Sequence, residues 1–226
     1  MNIIYPIKKQ YARLIFDKTK PFEFRNHIPK NLNIGDIVFV YETKTSGCGK
    51  VIGYFEVANI KKINYKCTRV GTYLYMDTYA KMFCDKEVSS MIEKAKRLKI
   101  ENYYDSFVLS YLFQDEALDY IEKNKQIPPE QENIFFYWNA SKEEKEKYDI
   151  ARQKSREFCD NCDEWLTNIG FYQNDEASWK YEIAIKNATL FKEPIAIQSF
   201  LDQKDLFIKV APQSFCYTKN TPKDFE

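Results

Sequence analysis

Lys20-Pro21-Phe22-Glu23-Phe24-Arg25 is the stretch on which the reading of this chain turns. Three ionisable residues stand at i, i+3 and i+5, and the last two are separated by one phenylalanine. In a strand, successive side chains point to opposite faces. Glu23 and Arg25 then share one face, and Phe22 and Phe24 share the other. Such a strand is a candidate ligand platform, with an aromatic face on a core and a charged face on a groove. The same spacing also describes a half-exposed strand with a surface Glu–Arg pair, worth little energetically. Spacing alone favours the surface pair.

Around this run the first sixty residues read as β-rich. Asn2–Ile7 is a short strand, and Lys8–Phe16 a short helix with Tyr11, Leu14 and Ile15 at helical spacing. Leu32–Asp36 is a turn built on Gly35-Asp36. Ile37–Tyr41 is a strand rich in β-branched and aromatic residues. Thr45–Gly49 is a hairpin-type loop. Val51–Val57 is a strand in which Gly53 signals a bulge or a close backbone approach.

The middle changes character. Val88, Met91, Ile92, Ala95 and Leu98 form an amphipathic helical stripe. Asp105–Asn124 also reads as helix, ending before Pro128-Pro129. Ser141-Lys-Glu-Glu144 is a capping-box pattern opening a charged helix with a stripe of Tyr148, Ala151 and Phe158. The end returns to β. Tyr181–Ile185 alternates, Phe191–Ile195 reads as a turn into Ile197–Leu201, and Pro212–Tyr217 as a last strand. A β-rich unit split by a helical insertion has this order.

Composition narrows the function. The 226 residues suffice for one large or two small domains, and 34 basic against 33 acidic residues leave a net charge of +1. No global field steers the chain to nucleic acid, so a phosphate site must be a local patch. Lys44, Lys50, Lys61 and Lys62 are candidates for one. The 16% aromatic content, with 17 Tyr, suits base stacking as well as core filling. The N-terminus lacks the basic region and apolar run of a signal peptide, and no stretch is apolar enough to span a membrane. A cytoplasmic protein with reduced thiols is expected.

Cys159-Asp-Asn-Cys162 is a C-x-x-C, but a structural zinc site needs about four ligands. No second C-x-x-C exists, and His27 is the lone histidine. Completing a site requires Cys67, Cys84 or acidic residues, so no metal and no cofactor is expected. With one histidine, Ser-His-Asp and Cys-His mechanisms have to pass through His27. No Walker-type P-loop and no G-x-G-x-x-G is present.

Several separated features agree in order with one family. Ile4-Tyr-Pro6, Tyr11-Ala-Arg-Leu-Ile15, Lys20-x-x-Glu23-x-Arg25, Gly35-Asp36 before Val38-Phe-Val-Tyr41, and Val51-Ile-Gly53 together resemble the ASCH domain of the PUA-like superfamily. That family's signature is Gly-x-Lys-x-x-Glu-x-Arg after a short helix. The Lys, Glu and Arg match, and Lys18 stands at the glycine position, a departure expected to change the turn. Tyr181–Ile185, Pro194 and Pro212-Gln-Ser214 resemble closing strands of the same barrel.

The resemblance implies an α+β fold, a PUA-like small β-barrel over residues 1–66 and 176–226, interrupted by a mostly helical insertion over 67–175. It implies RNA or a modified nucleobase or nucleoside as partner, held in a cleft between the first helix and the barrel. Lys20, Glu23 and Arg25 are the candidate ligand residues. Lys50 is a phosphate contact, and Tyr11 and Tyr41 are stacking candidates at the mouth. Some ASCH proteins are amidohydrolases on acylated cytidine, using a Lys with a Thr three residues later. Glu23 stands at that Thr position here, so binding rather than catalysis is expected. In an enzyme, Lys20 and Glu23 are the catalytic candidates. A third reading makes the insertion a protein-docking element through Ile134-Phe-Phe-Tyr-Trp138.

Overall fold

The computed structural model describes residues 1–63, 71–84, 86–97, 123, 141–172 and 178–225. The chain divides into two compact units, Met1–Thr68 with Ile169–Glu226, and Arg69–Asn168. The fold class is α+β: a six-stranded mixed sheet with helices.

The first unit contains β1 (Asn2–Ile7), α1 (Lys9–Phe16), β2 (Phe22–Arg25), β3 (Ile37–Glu42), β4 (Val51–Lys62), β5 (Tyr181–Ile195) and β6 (Cys216–Thr218). The strand order is β2-β5-β4-β3-β1-β6. β1 runs parallel to β3, and every other pairing is antiparallel. The segment Phe191–Ile195, expected as a turn, continues β5 instead. It is held in a ladder against β4, with Val51 opposite Ile195. Pro194 is compatible with this because, among the described residues, β2 covers the other edge of β5 only over Tyr181–Ala184, and an open edge tolerates proline.

Side-chain alternation places two cores on opposite faces of the sheet. Ile3, Tyr5 and Ile7 of β1 and Val38 and Val40 of β3 pack with Ala12 and Ile15 of α1. Ile4, Phe39 and Tyr41 point the other way, into a cluster with Ile197, Phe200 and Ile208 of the C-terminal segment. With both faces covered, β1 and β3 are apolar apart from Asn2 and Glu42 at their ends, rather than alternating.

The sheet is rolled. Four strand spacings separate β2 from β1, about 19 Å in a flat sheet. Arg25 Nη2 on β2 nevertheless donates to Pro6 O on β1 at 2.8 Å. An arginine side chain cannot bridge the flat distance, so the sheet curls until β2 faces β1. Among the described residues, no backbone ladder closes this roll. A side chain does.

Two backbone features set where α1 meets the sheet. Gly53 coincides with register shifts of β4 against β5 and β3, and a Cβ there would stand 2.3 Å from Thr189 O and 2.7 Å from the Phe16 ring. Both readings of Gly53, bulge and close approach, hold. α1 ends in a Schellman arrangement: Thr19 N donates to Leu14 O and Lys18 N to Ile15 O. Lys18 occupies the left-handed position, φ 62°. The lysine therefore takes the left-handed conformation of a glycine cap, with the strain a glycine would avoid.

In the second unit, α2 (Gly71–Phe83), α3 (Lys86–Arg97) and α4 (Lys142–Asn168) are described. The capping box forms: Ser141 N donates to Glu144 Oε2 at 2.7 Å and Glu144 N to Ser141 Oγ at 3.3 Å. Tyr79 and Phe83 of α2 pack on Trp165 of α4. Met91 and Ile92 of the α3 stripe are buried. Leu98, the helix expected up to Asn124, Cys67 and the tract Ile134–Trp138 lie outside the described residues, Lys123 apart. Among the described residues, no helix is long and apolar enough to cross a membrane.

Replacing Lys18 by Gly should stabilise the first unit by about 1 kcal/mol, by removing left-handed strain. Gly53→Ala should destabilise it by about 1–3 kcal/mol, because the neighbours of the new methyl are backbone and a packed ring. Urea unfolding midpoints check both signs.

Candidate functional site

α1 and β2 are joined by the turn at Lys18, which delivers Lys20 directly beneath the helix. Lys20 N donates to Leu14 O, so the turn also sets the start of the charged run. Lys20 is 3% exposed and Glu23 6% exposed. The surface-pair reading therefore fails: this is a buried array. Lys20 Nζ lies 3.5 Å from Glu23 Oε2, and Arg25 Nε lies 2.9 Å from Glu23 Oε1. One carboxylate stands between two cations. Arg25, with a side chain 17% exposed, is the member that reaches the surface.

Lys20 is held on every side. Its Nζ donates to Ile169 O at 2.5 Å and lies 4.9 Å from the centre of the Phe24 ring and 5.4 Å from that of Tyr11. Burial lowers its pKa from the ordinary 10.5, and Glu23 opposes that shift. Arg25 is held too. Its guanidinium carbon lies 4.4 Å from the centre of the Tyr5 ring, while Nη2 is bonded to Pro6 O.

The segment Ile169–Tyr172 forms a strap over this array. Gly170 has φ 80°, and a Cβ there would fall 2.8 Å from Tyr11 Cζ. Only a residue without a side chain lets the strap lie on Tyr11 and offer the Ile169 carbonyl to Lys20. Phe171 packs edge-on to Phe24 at 5.2 Å, and Trp179 Nε1 donates to Phe171 O at 2.8 Å. Sequence reading gave the strap no role. The available signal was Gly170 between two apolar residues just after a long charged helix.

The candidate residues thus separate. Lys20, Glu23, Arg25 and Tyr11 come together. Tyr41 does not: alternation along β3 turns it into the opposite core, where it is 2% exposed and burial raises its phenol pKa. Lys50 is exposed at the end of the loop joining β3 to β4. That loop is tied to the site's end of the sheet, since Thr43 N donates to Ile7 O and Lys9 N to Ser46 Oγ. Lys8, Lys44 and Lys50 are exposed on these segments and Arg13 is exposed on α1, while the Glu42 carboxylate accepts from Cys48 N within the loop. Tyr5, which sequence reading noted only as part of a pattern, lies fully buried against Arg25.

Among the described residues, no group of three or more His, Cys, Asp and Glu side chains could hold a metal ion. Burial raises the Cys162 pKa, away from the thiolate that metal ligation and redox chemistry need.

No family model and no curated protein matches the chain. Among solved structures, the chain is similar to the crystal structure of ASCH from Zymomonas mobilis, with 12% identity and a TM-score of 0.36 over 96% of this chain and 86% of that one. A mutant of that protein gives 11% identity and a TM-score of 0.35 over 96% and 88%.

Removing Glu23 leaves two cations facing each other in a buried setting. Glu23→Ala should therefore cost about 3–5 kcal/mol. Lys20 gives the array a pH dependence. Its folded pKa lies below its unfolded one, so the unfolded chain binds the extra proton between the two values, and stability rises with pH across that window. Urea midpoints from pH 7 to about 10 should show this slope in the wild type and lose it in Lys20→Met.

Proposed function

We propose that this protein binds RNA, taking a base or modified nucleoside at the Lys20–Glu23–Arg25 array and the adjoining phosphates on the surrounding lysines. The observation behind this is the buried carboxylate flanked by two fixed cations, of which only Arg25 is open to a ligand. A carboxylate accepts from base N–H groups, and a guanidinium donates to base oxygens or stacks on a ring. Lys20, turned to Glu23 and Ile169 O, positions the carboxylate and leaves the ligand to Arg25. Tyr11 walls the site from α1. Lys8, Arg13, Lys44 and Lys50 are the exposed cations that would meet the phosphates. The resemblance of the residue pattern to ASCH domains points the same way.

One observation favours a second reading, hydrolysis of an acylated nucleobase or nucleoside. Lys20 is a lysine whose pKa burial depresses, beside a carboxylate. That combination is suited to proton transfer. In this reading Lys20 and Glu23 are the reacting pair.

Binding of a fluorescent RNA decamer should weaken more than tenfold in Arg25→Ala. Lys44→Ala with Lys50→Ala should weaken all sequences alike and make the slope of log K against log salt shallower by about 1.4, the value for two phosphate contacts on a single strand. Equal binding by wild type and Arg25→Ala would sink the proposal. Turnover of an N-acylated nucleoside, absent in Lys20→Ala, would establish the hydrolase reading.

A further inference from the structure

The loop of residues 43–50 carries Lys44 and Lys50, yet an acid stands at its base. Glu42 ends β3 and is 6% exposed. Its carboxylate is turned into the loop, where Oε2 accepts from Cys48 N at 2.7 Å. Among the described residues it forms no ion pair. By charge alone, an acid in this place repels the phosphates that the lysines attract. Its presence has to be explained by something other than its charge.

The loop is built around this carboxylate. Glu42 N donates to Lys50 O at 2.9 Å, which closes the loop at its two ends. Gly47 N donates to Thr43 O at 2.7 Å, and Gly47 passes so close to the Glu42 carboxyl group that a Cβ there would overlap it. Gly49 has φ 67°, and its backbone lies against the stem of Lys44. Thr43 Oγ1 and Ser46 Oγ share a hydrogen bond at 2.8 Å, and Ser46 Oγ also accepts from Lys9 N. One carboxylate thus sits inside the turn that seats Lys44 on Gly49, the neighbour of Lys50, and that is tied to the start of α1. Immobilising long side chains on binding costs affinity, and a backbone and stem already in place reduce that cost. We infer that Glu42 is a positioning residue for RNA: it holds the loop in the shape that presents Lys44 and Lys50 to neighbouring phosphates. This rests on the proposed RNA binding and assigns the loop its part in it. The order that Glu42 gives the two lysines outweighs its own repulsion of the ligand.

Charge and position predict opposite signs for one substitution. The test measures binding of a fluorescein-labelled U10 RNA decamer by anisotropy across a salt series. The proteins are wild type, Glu42→Ala and Glu42→Gln, together with Glu42→Ala added to the Lys44→Ala, Lys50→Ala pair. Glu42→Ala should weaken binding about five- to twentyfold and make the slope of log K against log salt shallower, by up to about 1.4. Glu42→Gln keeps an oxygen for Cys48 N and sheds the charge, so it should bind as tightly as wild type or more tightly. With both lysines already replaced, Glu42→Ala should no longer weaken binding. Gly47→Ala puts a methyl in the place of the carboxyl group and should reproduce Glu42→Ala. It decides the matter should Glu42→Ala not fold. A Glu42→Ala protein that binds as tightly as wild type, or more tightly, overturns the inference and leaves the RNA proposal standing, because the acid then acts through its charge alone. Equal weakening with and without the two lysines, the mark of a general loss of structure, overturns it too, as does a Glu42→Gln protein as weak as Glu42→Ala. Failure of wild type to bind the decamer overturns the RNA proposal itself, and the inference with it.

Discussion

Arg25 is the residue on which both the fold and the site depend. It ends β2, the edge strand furthest from β1 in the pairing order. Its guanidinium spans Glu23 on its own strand, the Tyr5 ring and the Pro6 carbonyl on β1. A flat sheet makes these contacts impossible, so Arg25 joins β2 to β1 only across the curl of the sheet. That curl also places the one acidic group of the array between two cations, where each charge offsets the desolvation of its neighbour. Structure and site therefore share their parts.

The rest of the first unit fixes that cluster from three sides. The Schellman turn at Lys18 brings Lys20 under α1. Gly53 lets Phe16 and β5 close on β4. The Ile169–Tyr172 strap supplies a carbonyl for the buried ammonium and an aromatic cover on Phe24. Lys20 is therefore a positioned residue, whichever chemistry the site performs. Its lowered pKa follows from this enclosure.

Local pattern was informative wherever one interaction range sufficed. β1 and β3, the helix at Lys9–Phe16 and the Ser141 capping box each follow from spacing or capping within a few residues, and each stands where the sequence places it. Pattern was uninformative where a distant partner decides. Phe191–Ile195 carries a proline and two charges that read as a turn, but its ladder with β4 makes it strand. Lys18 reads as a changed turn because propensity disfavours it, while the two hydrogen bonds of the helix end hold it left-handed.

By itself the sequence determined that Glu23 and Arg25 share a face, that Lys20 joins them through a turn, and that a β-rich unit encloses a helical segment, because strand alternation and helical spacing are properties of the chain alone. Only the tertiary structure decided that the triplet is buried, that Tyr11 joins it while Tyr41 faces the opposite core, and that Tyr5 and the Ile169 carbonyl complete it. Burial and partnership arise from which segments meet in the rolled sheet, and those meetings join residues as far apart in the chain as Lys20 and Ile169 or Asn2 and Thr218. No local pattern encodes such a distance.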